Sequence, residues 1–229
     1  MTLRAVVRGV GHYLPERVVP NSEFEKTLDT SNEWIVSRSG IERRHFAAEG
    51  QTTSDLAVRA SKAALAHAGM EADDLDAIIV ATSTADFTFP SCATMIQSGL
   101  GMTRGFAFDI QAVCAGFVFA LSVAKSLMKD NNYKNCLVIG ADSMSKLLDW
   151  KDRSTSVLFG DGAGAVILEN KENIDNKLDD WGVLSNVIHS DGEYYDLLKT
   201  NGGVSTNQKI GFIEMAGIEI FKHAVEKLS

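Results

Sequence analysis

Cysteine is scarce and poorly placed for cross-linking. Cys92, Cys114 and Cys136 form an odd, widely spaced set with no C-x-x-C pair, which argues against both a disulfide framework and a zinc site. Long hydrophobic runs are also missing, since the apolar stretches break well short of the roughly 18 residues that suggest a membrane span. The first eight residues, Met-Thr-Leu-Arg-Ala-Val-Val-Arg, read as a strand and not as a targeting segment. Positive charge is outweighed, with a formal net charge of −8. No basic stripe dominates, so nucleic acid is not an expected partner. There is no short-period repeat and no low-complexity tract. The expected setting is a reducing cytoplasm, without membrane or metal.

What is present is ordinary globular material. Hydrophobic residues make up 45% and charged residues 23% of 229 positions, enough for a sizeable core in one large domain or two small ones. Strand and helix patterns alternate. Strands are expected at residues 3–10, 75–83, 105–110, 135–142 and 163–169, and helices at 54–67, from Pro90-Ser91, and at 114–129. Thr53 or Ser54 would cap the first helix and Gly69 end it. The helix at 114–129 is apolar nearly all round until Lys125, so it must be covered on every side. That implies a layered α/β architecture. Residues 169–180 are polar and read as a linker, followed by strands at 181–189 and 209–214 and a helix from Ala216.

Cys114 stands in the run Gly105-Phe106-Ala107-Phe108-Asp109-Ile110-Gln111-Ala112-Val113-Cys114-Ala115-Gly116-Phe117. An apolar, aromatic strand pattern gives way there to small residues that open a helix. A thiol at such a junction meets unpaired N–H groups and the helix dipole, which favour thiolate. The alternative is an inert core cysteine, the commoner state of a free thiol. Gly160-Asp161-Gly162-Ala163-Gly164 is not a dinucleotide fingerprint. That motif needs G-x-G-x-x-G ahead of a helix, whereas Ala165-Val166-Ile167-Leu168 reads as strand. Close backbone packing is expected there instead. Basic residues gather at Arg38, Arg43 and Arg44 and at Lys151 and Arg153, either as solvated surface or as a grip for an anion. Trp34 and Arg38, four apart, can share a helical face, as a half-buried pair or as a platform for an adenine ring.

The run from Asp109 to Phe117 resembles the nucleophile segment of β-ketoacyl-[acyl carrier protein] synthase III, a condensing-enzyme family of the thiolase superfamily. Four further segments resemble that family in the same order. They are Asp29-Thr30-Ser31-Asn32-Glu33-Trp34-Ile35-Val36-Ser37-Arg38-Ser39-Gly40-Ile41, then Ala81-Thr82-Ser83 with Phe89-Pro90-Ser91. The others are Phe159-Gly160-Asp161-Gly162-Ala163-Gly164-Ala165, and His189-Ser190-Asp191-Gly192 with Met215-Ala216-Gly217. The resemblance covers nearly the whole chain.

The resemblance implies a thiolase-like layered αβαβα fold, in which residues 1–170 are a complete N-terminal half carrying the nucleophile. Residues 171–229 would be a linker and the incomplete beginning of the second half. It implies an initiating condensing enzyme of type II fatty acid synthesis. A short acyl group, acetyl foremost, would pass from acyl-CoA to Cys114 and condense with malonyl-[acyl carrier protein] with loss of CO2. Coenzyme A thioester is then a substrate, and no cofactor or metal is implied. Trp34, Arg38 and Arg153 match positions that grip coenzyme A, and Met215, Gly217 and Phe221 match positions lining the pantetheine tunnel. Lys222 matches a position where the carrier protein docks. Phe89 matches one at the acyl pocket and the interface of the family's homodimer.

The family pattern continues past the position matching Ser229, with a His in Pro-His-Gln-Ala-Asn and an Asn in Gly-Asn-Thr-Ser. Neither motif occurs in these 229 residues, so the resemblance supplies the Cys-His-Asn set through Cys114 alone. A chain ending at Ser229 is expected to stop short of condensation. His12, His45, His67, His189 and His223 all lie outside the catalytic context, and none is expected to act as the base. Two alternatives remain at this stage. One is a related thiolase-fold synthase making polyketides, quinolones or ketones. The other is a catalytically dead remnant that binds coenzyme A or dimerises.

Overall fold

The computed structural model describes residues 2–131, 133–174, 177 and 181–228. In chain order its first elements are β1 (Thr2–Tyr13), β2 (Arg17–Pro20), α1 (Asn21–Phe24), α2 (Asn32–Ser39), β3 (Arg43–Phe46), α3 (Thr53–Ala68) and β4 (Ala77–Ala81). Next come α4 (Cys92–Leu100), β5 (Phe106–Ile110), α5 (Gly116–Asn131), β6 (Asn135–Ser143), α6 (Arg153–Ser156) and β7 (Asp161–Asn173). β8 (Leu198–Thr200), β9 (Ile213–Met215) and α7 (Gly217–Leu228) complete the order. The elements belong to two compact units that interleave along the chain. The first takes Met1–Pro15, Ala47–Asp142 and Gly162–Ile188, and the second Glu16–Phe46, Ser143–Asp161 and His189–Ser229. Among the described residues no helix is long and apolar enough to cross a membrane.

The first unit is built on a five-stranded sheet in the order β1-β7-β6-β4-β5. β4 runs parallel to both β5 and β6, while β1 and β7 pair antiparallel. The two-residue period of a strand sends alternate β4 side chains to opposite faces. Ile78 and Val80 pack in one core with α3 and α4, whereas Ala77, Ile79 and Ala81 pack in another with α5. A strand covered on both faces needs a continuous apolar run, which this one has. Each buried Ile or Leu contributes about 1.5–3 kcal/mol.

The cap of α3 is Thr52, one residue before the expected Thr53 or Ser54. Thr52 accepts from the Asp55 N–H while the Asp55 carboxylate accepts from the Thr52 N–H, a reciprocal cap. Gly69 ends the helix at φ 65°, as expected. The helix lies so close to β1 that a Cβ on Gly11 would come within 2.3 Å of the Ala60 carbonyl.

In this unit Ala120, Ala124 and Met128 of α5 are buried against the sheet, while Val118 stays 43% exposed. One expectation needs correction. The segment at 181–189 forms no strand: among the described residues its backbone tie runs from the Val183 N–H to the Ala5 carbonyl, and Gly182 bends at φ 89°. β7 also runs on to Asn173, so the expected linker begins as strand. Positions 175, 176 and 178–180 of it lie outside the described residues.

The second unit pairs β2 with β3 antiparallel, Arg17 opposite Phe46 and Pro20 opposite Arg43. Val19, Phe24, Ile35, Phe46 and Val157 form its core. Trp150 stacks on Phe24 and meets the edge of Phe46, with centroids 6.4 and 5.3 Å apart. β8 and β9 form a second antiparallel pair. The strand expected at 209–214 shrinks to β9, because Gly211 turns at φ 76° and approaches Gly202 too closely for any side chain.

Candidate active site

Cys114 is positioned by the end of β5 and the start of α5. The Ile110 carbonyl accepts from the Thr82 N–H at 3.2 Å, tying the end of β5 to the residue after β4. The chain then turns sharply. Ala112 lies at φ −146°, ψ 29°, and Val113 at φ 47°. A β-branched residue at positive φ is an outlier that costs about 1–3 kcal/mol, and here it immediately precedes the thiol. Cys114 occupies the middle of the 3₁₀ turn Val113–Ala115 and is exposed. It is not the inert core residue that its type alone suggests. Gly116 lets α5 start close to β4, since a Cβ there would stand 3.1 Å from the Ala81 Cβ.

The other two thiols differ sharply from Cys114. Cys92 and Cys136 are both buried. Burial pushes the Cys136 thiol up to about 12. Cys92 is also pushed up, by burial first and then by the carboxylates of Asp86, Asp109 and Asp142.

The turn after β4 is held from several sides. Asp142 accepts from the Ser83 N–H at 2.8 Å and from the Thr84 and Thr82 hydroxyls at 3.1 and 3.3 Å. Burial pushes the Asp142 carboxyl above its ordinary range, against the pull of those bonds. The Thr53 hydroxyl donates to the Thr84 carbonyl at 2.7 Å, and Ser54 donates from its N–H and hydroxyl to Asp86 at 3.0 and 2.6 Å. Thr53 and Ser54, expected as helix caps, therefore anchor this turn instead. Beyond it Phe87 and Phe89 project into solvent, Phe89 84% exposed.

The second unit brings Trp34, Arg38 and Arg153 together. Trp34 and Arg38 do share one face of α2, with the Arg38 guanidinium 4.4 Å from the indole centroid. Arg153 reaches the same ring at 4.9 Å and is braced by Asp29, through its carbonyl and through its carboxylate at 3.6 Å. Asp152 caps α6 beneath Arg153, accepting from the Ser154 N–H at 2.8 Å and from the Ser154 and Thr155 hydroxyls at 2.6 Å. Desolvation would raise the Asp152 carboxyl, but these bonds hold it below its usual value. Arg44, counted above with the basic cluster, is buried. It donates to Asn21 Oδ1 and to the Val19 and Val157 carbonyls, so it serves the core and not an anion.

Met215 ends β9 and Gly217 opens α7, with Phe221 one turn further on and 70% exposed. Lys222 beside it is exposed. Cys114 and Phe89 thus belong to the first unit and the remaining site residues to the second. His67, in the last turn of α3, accepts from the Val10 N–H through Nδ1 at 3.1 Å. Asp109, Asp142 and Asp152 escaped the sequence reading, since an acidic residue at an element's end looks the same whether it faces water or backbone N–H groups. No group of three or more potential metal ligands converges among the described residues.

Residues 108–192 match the family 3-oxoacyl-[acyl-carrier-protein] synthase III. Over 229 residues the chain is 65% identical to the β-ketoacyl-[acyl-carrier-protein] synthase III of Roseobacter denitrificans, covering all of this chain and 70% of that one. The chain belongs to that family. Synthase III of Aquifex aeolicus shares the fold at a TM-score of 0.85 and 40% identity, over 97% of this chain and 68% of that one. The priming β-ketosynthase of the R1128 polyketide pathway is as close in fold, at 0.86, but only 31% identical, over 98% of this chain and 67% of that one. The fold is therefore the thiolase-like α/β arrangement. Identity ranks the synthase III group above the polyketide alternative, and as a synthase III the protein is a condensing acyltransferase.

Proposed function

We propose that the protein transfers a short acyl group, acetyl foremost, from a coenzyme A thioester to Cys114 and condenses it with malonyl-[acyl carrier protein], releasing CO2. This is the initiating step of type II fatty acid synthesis, in a cytoplasmic setting. The observation that carries the reading is the exposed thiol of Cys114 in a strained turn, in a chain whose other two thiols are buried.

In the first step the Cys114 thiolate attacks the thioester carbonyl, the coenzyme A thiolate leaves with the electron pair of the broken C–S bond, and the proton given up by the Cys114 thiol is matched by the one the coenzyme A thiol takes up. One thioester replaces another. Trp34 offers its indole to the adenine ring, and Arg38 and Arg153, held 4.4 and 4.9 Å from the indole centroid, supply the charge for phosphates. Met215, Gly217 and Phe221 line the path of the pantetheine arm, and Lys222 meets the acidic carrier protein. Phe89 bounds the acyl pocket and a homodimer interface. Residues 1–170 form the half that carries the nucleophile, and residues 171–229 lead into the second half.

Condensation needs donors aimed at the developing enolate oxygen, each worth roughly 3–4 kcal/mol. In the family pattern these come from the His and Asn motifs that do not occur among these 229 residues. Acyl transfer to Cys114 is therefore the step to test first. Intact mass before and after acetyl-CoA should show one added acetyl group, absent in Cys114→Ser. An unmodified mass under saturating acetyl-CoA would reject the nucleophile and favour a remnant without catalysis.

A further inference from the structure

We propose that Asp109 is a positioning residue that fixes the approach to Cys114 against the first turn of α4, and through it against the loop carrying Phe89. The proposal rests on the reading of Cys114 as the acyl-accepting thiol.

Asp109 sits on β5, five residues before Cys114, and its carboxylate points at the N-terminus of α4. Oδ2 accepts from the Cys92 N–H at 2.7 Å and Oδ1 from the Ala93 N–H at 2.8 Å. The first turn of a helix leaves its N–H groups without intrahelical partners. Ser91 satisfies the next two, its hydroxyl accepting from Thr94 at 3.2 Å and its carbonyl from Met95 at 3.4 Å. The two that Ser91 cannot reach are taken by Asp109. Charge-assisted bonds of this length are the stronger kind. Because α4 directly follows Phe89-Pro90-Ser91, the strand leading to the thiol and the aromatic loop are tied to one carboxylate. From the other side, the bond between Ile110 and Thr82 joins the same strand end to the turn held by Asp142. β5 is thus clamped on both flanks just before the backbone enters its strained turn.

Acyl transfer from a bound thioester is sensitive to such clamping, since a misplacement of about 1 Å can cost on the order of a hundredfold in rate. Asp109→Asn keeps the shape but turns an NH2 group toward one of the two N–H donors. The expected result is a rate of Cys114 acylation at saturating acetyl-CoA lower by roughly tenfold or more, with the half-saturating concentration within about threefold of wild type. Iodoacetamide, which needs no bound pose, should still label Cys114 within about twofold of the wild-type rate. Cys92 should become easier to label as its backbone tie loosens, while Cys136 stays protected.

Ser91→Ala supplies the comparison. It weakens the same helix turn without touching β5, so acylation should stay within about twofold of wild type even as the melting temperature falls. The proposal is overturned if Asp109→Asn acylates within twofold of wild type with Cys92 still protected. It is equally overturned if Ser91→Ala slows acylation as much, or if Cys136 becomes labelled in Asp109→Asn, because either result reduces Asp109 to a fold-stabilising role. Wild type that accepts no acyl group would overturn the nucleophile reading together with this proposal. A normal wild type beside a normal Asp109→Asn would overturn the proposal alone.

Discussion

Reactivity at Cys114 is separable from that of the other thiols because Cys114 is exposed while Cys92 and Cys136 are buried. The nucleophile in thiol chemistry is the thiolate, and burial pushes the Cys136 thiol up to about 12 and raises that of Cys92 as well. Limiting iodoacetamide at neutral to mildly alkaline pH should therefore add one group, mapped by peptide mass to Cys114. Labelling of Cys92 or Cys136 should appear only when the protein is unfolded. Substantial modification of either in the folded chain would contradict their burial. This residue was legible in the sequence through its neighbours, because small residues after an aromatic strand pattern mark a strand-to-helix junction. Its strained predecessor was not. Val113 carries no sequence signal for positive φ, and the turn becomes visible only when β5 and α5 are both in place.

At the level of elements, strands with two covered faces were the easiest to read. β4 is apolar at every position because α3 and α4 claim one set of side chains and α5 the other. The segment at 181–189 misled for the opposite reason: an apolar stretch needs a partner strand, and sequence cannot say whether one is there. Capping carboxylates are hidden in the same way when the partners are distant. Asp109 reaches N–H groups 16 and 17 residues away. Asp152 is the local case, and its effect is predictable. Asp152→Ala removes the cap of α6 and should cost about 1 kcal/mol, a fall of roughly 2–4 °C in melting temperature for a chain of this size. The sign of its pH dependence follows from its lowered folded value. The stabilisation is fully present above the unfolded value of 3.8 and is lost as pH falls through the folded one. Wild type and variant should thus differ at pH 7 and converge in melts as pH falls below 3.8 and through the lowered folded value. A gap that persists in acid would assign the loss to packing instead of charge.

At the level of the whole molecule, the layered α/β class followed from alternating strand and helix patterns, whereas the interleaving of two units did not. Contacts between segments more than a hundred residues apart decide it, such as the Arg44 guanidinium on the Val157 carbonyl. The exposed apolar surface has a consequence of its own. Phe87 and Phe89 present two aromatic side chains on one short loop, 59% and 84% exposed. Each aromatic can bury some 150–250 Å² against a partner, and exposed apolar clusters of this kind mark interaction surfaces. With a homodimer as the proposed assembly, a second copy is the partner that fits. Size-exclusion chromatography with light scattering should give a dimer at micromolar concentration, and Phe89→Glu should shift it toward monomer by placing like charges across a two-fold contact. A wild-type monomer at every concentration would reject the dimer. A dimer indifferent to Phe89→Glu would move the interface to another surface, and with it the argument that this loop shapes both the assembly and the acyl pocket.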